Sequence, residues 1–218
     1  MKTFIRFAVL ACVMAATIFS SCKKDKKNPK VDDPEQPHHE EELITTLKFI
    51  ITDSLNNSKT YTFSDPDGPG GNPAFYGPGS DPANSDQSDS VIVLKANAIY
   101  QGRIILLNES TSPAENISDE VKEEGDEHMF FYTSAVYQVV KSQPYTVLLN
   151  DSGIEIAHTD LDDGNPPQSI GLETTIKTTA ASAKQPLQIT LKHQPGSKNG
   201  DITTGETDIE VAFKVLVQ

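Results

Sequence analysis

Tryptophan is absent, and the two cysteines, Cys12 and Cys22, both fall within the first 22 residues. Beyond Cys22 no disulfide can staple a fold and no thiol can act as a nucleophile, so stability has to come from core burial or a bound metal. Basic residues are scarce as well: 18 Lys and Arg stand against 31 Asp and Glu, a formal net charge of −13. Such a surface repels phosphates and argues against nucleic acid as a partner and against anionic lipid surfaces. It suits solubility, cations or basic partners. Also missing are Gly-x-Ser-x-Gly, His-Glu-x-x-His and a phosphate-cradling Gly loop, so no motif marks the chain as an enzyme. Without Trp, the usual sugar-stacking platform is lost, although six Tyr remain.

Long apolar runs are missing too, with one exception at 7–19. Its 13 residues fall short of the roughly 20 needed to cross a bilayer. Lys2 and Arg6 precede it, and Phe19-Ser20-Ser21-Cys22 follows. Positive charge, short apolar core and small residues form the three parts of a signal peptide. The last four residues resemble a bacterial lipobox, with Phe19 where Leu or Val is commonest. The expectation is a signal peptide over 1–21, cut before a diacylated Cys22 that anchors the protein in a membrane; two or more chains suffice for stable anchoring. Removing 1–21 takes away Lys2 and Arg6, and 16 minus 31 leaves −15. Residues 23–42 are nearly all charged or Pro, Gln and His, including His38 and His39. They cannot bury enough surface to offset ordering entropy and are expected to form a disordered acidic tether over 22–42.

The remainder, 43–218, has the size of a single domain. Strands are predicted at 43–51, 59–63, 91–95, 99–108, 129–133, 136–141, 145–149, 154–158, 170–178 and 187–193. The end of the chain is the clearest, with Ile209, Val211, Phe213, Val215 and Val217 on one face of a period-two pattern. One helix is predicted over 113–124, with Pro113 in its first turn. Short strands joined by Gly, Pro, Asn and Asp connections predict an all-β fold, an antiparallel β-sandwich immunoglobulin-like in general form. The long loop 64–88 carries Phe75 and Tyr76 in polar surroundings. They are either a binding tip or a segment that folds back over one end of the sandwich, and folding back is the favoured reading.

Two constellations suggest metal. Asp160, Asp162, Asp163 and Asn165 surround Gly164 as oxygen ligands do in calcium loops, off the EF-hand spacing. Asp65-Pro66-Asp67-Gly68 is a similar cluster, and plain turns use the same residues. His128 follows Asp126-Glu127, and His193 ends a predicted strand. With Glu127 or Asp126 they form a zinc site if those strand ends meet, and otherwise are ordinary strand-end histidines.

Further stretches carry a resemblance: Asn97 to Ile104, Leu107-Asn108-Glu109-Ser110, Glu124-Gly125-Asp126-Glu127-His128-Met129-Phe130-Phe131-Tyr132, Ile170-Gly171-Leu172, Leu191-Lys192-His193-Gln194-Pro195 and Gly205 to Val211. Together they resemble a family of small Bacteroidota lipoproteins of unknown function, whose members are often called "type 1 periplasmic binding fold superfamily protein". The resemblance implies an outer-membrane lipoprotein and no particular activity. The fold in that name needs alternating strands and helices in two lobes, which this pattern lacks. Asp53-Ser54-Leu55 and Asp89-Ser90-Val91 resemble the short O-glycosylation acceptor of that phylum. Three function classes follow, the first favoured: a non-enzymatic binding or accessory lipoprotein acting on a cell-envelope protein or glycan, a domain that binds calcium or zinc, or, last, a hydrolytic enzyme.

Overall fold

A computed structural model of the chain describes residues 43–67, 75–77, 91–135, 138–140, 145–149 and 153–218. In chain order these form β1 (Thr46–Thr52), β2 (Ser58–Ser64), β3 (Phe75–Gly77), β4 (Val91–Leu94), β5 (Ile99–Asn108) and β6 (Glu115–Asn116). Helix α1 (Ile117–Glu123) is followed by β7 (His128–Thr133), β8 (Gln138–Val140), β9 (Thr146–Leu149) and β10 (Ile154–His158). The last strands are β11 (Glu173–Thr178), β12 (Gln185–His193) and β13 (Glu206–Val217).

These strands make an all-β fold of two sheets. One runs β3-β2-β1-β5-β11-β10-β9-β8, with β6 paired to β5, and the other runs β4-β13-β12-β7. Pairing is antiparallel except between β4 and β13, which run parallel, Ile92 opposite Val215. The period-two pattern explains the packing. On β13, Ile209, Val211, Phe213, Val215 and Val217 are buried, while Glu210, Ala212 and Lys214 face solvent. On β5, Tyr100, Ile104 and Leu106 are buried with Gly102 between them. Ring contact between Phe49 on β1 and Tyr132 on β7, with centroids 6.1 Å apart, joins the two sheets in one core.

Strand β7 is buried at all six positions. It lies at the end of its sheet, and an end strand presents unused N–H and C=O groups that must be covered. Here the segment before β11 does so: the Phe130 N–H donates to the Ile170 carbonyl at 2.7 Å. This use of 170–172 shortens the strand predicted at 170–178 to Glu173–Thr178.

The helix is also shorter than 113–124. Glu115 and Asn116 pair with Asn108 and Leu107 on β5, so sheet hydrogen bonds claim the residues that would have made its first turn. Ile117 and Val121 then supply the buried side of a two-turn helix. Phe75 and Tyr76 lie in β3, whose backbone folds back along β2 with Tyr76 opposite Phe63.

Because Phe213 is 1% exposed at the centre of this core, Phe213→Ala is expected to cost about 3–5 kcal/mol in urea denaturation. The solvent-facing change Ala212→Ser on the same strand should stay within about 0.5 kcal/mol.

Candidate functional site

The loop between β10 and β11 is built around two aspartates. Both carboxylate oxygens of Asp160 accept backbone N–H bonds, from Gly171 and Leu172 at 2.9 Å each. Asp162 Oδ1 accepts from Gln168 N at 2.7 Å and Gly164 N at 3.1 Å. Its Oδ2 meets Lys198 Nζ at 2.7 Å, and both side chains are 2% exposed. Lys198 also donates to the Gly125 carbonyl. Burial alone would push the Asp162 carboxyl up, but the ammonium and the N–H donors outweigh it and hold that carboxyl below its ordinary value.

The calcium reading of Asp160, Asp162, Asp163 and Asn165 is corrected by this geometry. The first two carboxylates anchor the loop to its own backbone and to a lysine, while Asp163 and Asn165 are exposed. The Lys198 ammonium holds the remaining Asp162 oxygen, which a cation would have to share.

The histidines fare differently, because the strand ends do meet. His128 on β7 stands directly opposite His193 on β12. Their rings stack with centroids 4.6 Å apart and planes 7° from parallel. His128 Nδ1 donates to the Glu124 carbonyl at 3.2 Å, which places its proton on that nitrogen. Its Nε2 lies 3.8 Å from Asp208 Oδ2. His193 Nε2 meets the Glu127 carboxylate at 3.2 Å. One donor atom each from Glu124, His128 and His193 lies within 4.8 Å of the other two. Glu124 therefore takes the place expected of Glu127 or Asp126, while Glu127 orients His193. The signal for Glu124 was its four-residue spacing from His128 across the end of α1. Burial, partly opposed by the bond to Glu124, lowers His128 to about 4. The ring is neutral at neutral pH and able to ligate.

Neighbouring loops hold this corner in place. Gln194 is fully buried, its N–H bonded to the Glu127 carbonyl and its Nε2 to the carbonyls of Asp201 and Thr204. Gly205 has φ +72°, and a Cβ there would lie 2.1 Å from the His193 carbonyl oxygen. Only glycine lets the 194–205 turn pass so close to the strand end.

A third histidine escaped the sequence reading. His158 continues the in-facing series Ile154, Ile156 of β10 and is 1% exposed. It packs against Tyr132 and Tyr145, with centroids 5.7 and 4.9 Å away. Gly171, at φ +94°, fits against its ring, where a Cβ would come within 2.7 Å. Neither ring nitrogen has a hydrogen-bond partner among the described residues. Burial lowers its pKa to about 3. Tyr145 also lines a cavity of about 230 Å³, together with Phe131, Val139 and Ile202. That volume falls below the ~300–1,000 Å³ usual for small-molecule sites, which leaves the histidine cluster as the stronger candidate.

Other sequence candidates are dispersed. Ser54 and Leu55 sit exposed at the β1–β2 turn, where Asp53 Oδ1 accepts from the N–H groups of Leu55 and Asn57. Cys22, His38 and His39 lie outside the described residues. With the geometry in view, the class is a two-sheet all-β protein with a histidine–carboxylate cluster at one strand end. Comparison with known proteins places it no further: no family model, no curated protein and no solved structure matches the chain.

Two outcomes follow. Lys198→Met strands the Asp162 carboxylate and should cost about 3–5 kcal/mol in denaturation, whereas Lys198→Met with Asp162→Leu should recover much of that loss. The second concerns pH. His158 and His128 have folded values of about 3 and about 4 against an unfolded 6.5. The unfolded chain therefore takes up protons first, and stability present above pH 6.5 falls as the pH drops toward those values. The slope is about 1.4 kcal/mol per pH unit for each ring. The raised carboxyls of Asp160 and Glu173 act oppositely, so the difference between wild type and His158→Leu isolates the histidine. That difference should shift in favour of the variant between pH 6.5 and 4. Parallel curves would show that His158 is not buried neutral.

Proposed function

We propose that the chain is exported and lipid-anchored at the outer membrane through Cys22, and that its sandwich is a non-catalytic binding domain held off the membrane on residues 22–42. The observation that carries this reading is the start of the sequence, where Lys2 and Arg6, a 13-residue apolar run and Phe19-Ser20-Ser21-Cys22 follow one another. The described strands and core residues lie between Ile44 and Val217. Cutting before Cys22 and acylating it would remove none of these described core residues. Meanwhile β1, the first strand, sits between β2 and β5 inside the larger sheet, so the domain needs the chain from its very start.

A membrane presents no ligand to such a domain directly. A net charge of −15 on the mature chain, by the count above, keeps it away from anionic headgroups, so contact with the bilayer is left to the acyl chains. The partner class that fits is a cell-envelope protein or glycan within reach of the tether.

Expression of the full chain with a clickable fatty acid is expected to label it, and mass spectrometry to find a mature N-terminus at Cys22. Cys22→Ala should abolish both. A cut elsewhere, or label retained in Cys22→Ala, would overturn the anchor. Incubation with envelope glycans and proteins should give binding without turnover, and hydrolysis of a probe would overturn the non-catalytic reading.

A further inference from the structure

We propose that Glu124, His128 and His193 form a binding site for a divalent transition metal of the zinc class, assembled where β7 and β12 end together. The site does not depend on the anchoring reading.

Three observations converge on it. The first is register. His128 and His193 are cross-strand partners, and the β12–β13 ladder shifts between Leu191 and Lys192, which leaves Asp208 as an extra residue on β13. Such bulges re-aim side chains of the bulged strand, and here the extra residue is the carboxylate 3.8 Å from His128 Nε2. Gly205 and Gln194 then hold the end of β12 from the other side, as described above.

The second is the second layer of contacts. Metal-binding histidines characteristically donate their other ring N–H to a carbonyl or carboxylate, which sets tautomer and direction. His128 donates to the Glu124 carbonyl, and His193 Nε2 is bonded to the Glu127 carboxylate. Each imidazole has the outer partner that a ligand histidine requires.

The third is charge and donor type. The Glu124 carboxylate lies 3.9 Å from His128 Nδ1, that of Glu127 3.2 Å from His193 Nε2 and that of Asp208 3.8 Å from His128 Nε2. Imidazole with carboxylate suits zinc, copper, nickel and iron, whereas calcium takes oxygen ligands throughout. Two histidines and one glutamate leave a fourth tetrahedral position for water or a further carboxylate, and among the described residues Asp208 is the carboxylate nearest His128 Nε2, at 3.8 Å.

Binding requires the donors to close in. Zinc–nitrogen bonds of about 2.0–2.1 Å place tetrahedral donors about 3.3 Å apart, against the 4.8 Å span of the set as it stands. Parallel rings also aim their lone pairs side by side, so one must tilt. The groups free to do so are the right ones: the Glu124 side chain is 54% exposed and His193 14%, while His128 is 2% exposed and fixed. His128 keeps its Nδ1 proton on the Glu124 carbonyl. The Glu124 carboxylate must therefore swing from that edge of the ring to the Nε2 edge, and its exposed side chain is free to do so.

The test uses the full chain in detergent, stripped with EDTA and desalted, with His38→Asn and His39→Asn introduced so that the tether histidines cannot compete. Zinc competition against a chromophoric chelator is expected to show about one equivalent bound, and cobalt to give the visible bands of a tetrahedral site. Calcium should do neither. His193→Asn and Glu124→Gln should each weaken zinc at least about tenfold, and His158→Leu should leave it unchanged. Melts in EDTA establish that each variant is folded. Should His193→Asn fail to fold, the exposed Glu124→Gln decides alone. Absence of a stoichiometric zinc site, or equal affinity in Glu124→Gln and its parent, would overturn the proposal.

Discussion

Everything in this domain depends on how the short segment 170–172 is held between the two sheets. The carbonyl of Ile170 accepts from Phe130 on β7, that of Gly171 from the Tyr132 hydroxyl, and that of Leu172 from Ile104 on β5. Backbone of one segment therefore serves donors of both sheets. The segment keeps this position because the Asp160 carboxylate holds the N–H groups of Gly171 and Leu172. A buried polar group left without its partner costs about 1–3 kcal/mol, so these bonds stand or fall as a set. Gly171 is indispensable twice over, for its positive φ and for the His158 ring against it.

From that clasp the corner around the histidines follows. Asp162, two residues beyond Asp160, reaches Lys198, and Lys198 reaches the Gly125 carbonyl. The loop after β10, the turn before β7 and the turn after β12 are thus tied at one buried ion pair. Such a pair adds little net stability over apolar side chains of similar size, but losing one partner leaves a buried charge unpaired and is costly. It ties the turn bearing Glu124 and Glu127, through the Gly125 carbonyl, to the turn after β12.

Much of the fold could be read from alternation. β5 and β10 begin and end where the pattern places them, and β13 buries the predicted face. Departures occur where tertiary hydrogen bonds outcompeted local preference. Pro113 suits a helix start, yet Glu115 and Asn116 were taken into the sheet beside β5. Ile170 continues an apolar series, yet its carbonyl was needed by Phe130. The parallel union of β4 with β13 carries no local signal at all, because it depends on a partner more than a hundred residues away. The acidic loop misled for a similar reason: Asp and Gly spacing is the same in an ion site and in a loop pinned by a distant lysine.

By itself the sequence determined the class of the domain, because period-two burial is a local property. It also identified His128 and His193 as strand-end histidines. Only the tertiary structure decided that these two face each other, that Glu124 joins them, and that Asp160 and Asp162 serve the loop. Those outcomes hinge on strand register and on one buried lysine, and register is settled by the packing of the whole core, where a slip of one residue would turn every side chain to the opposite face.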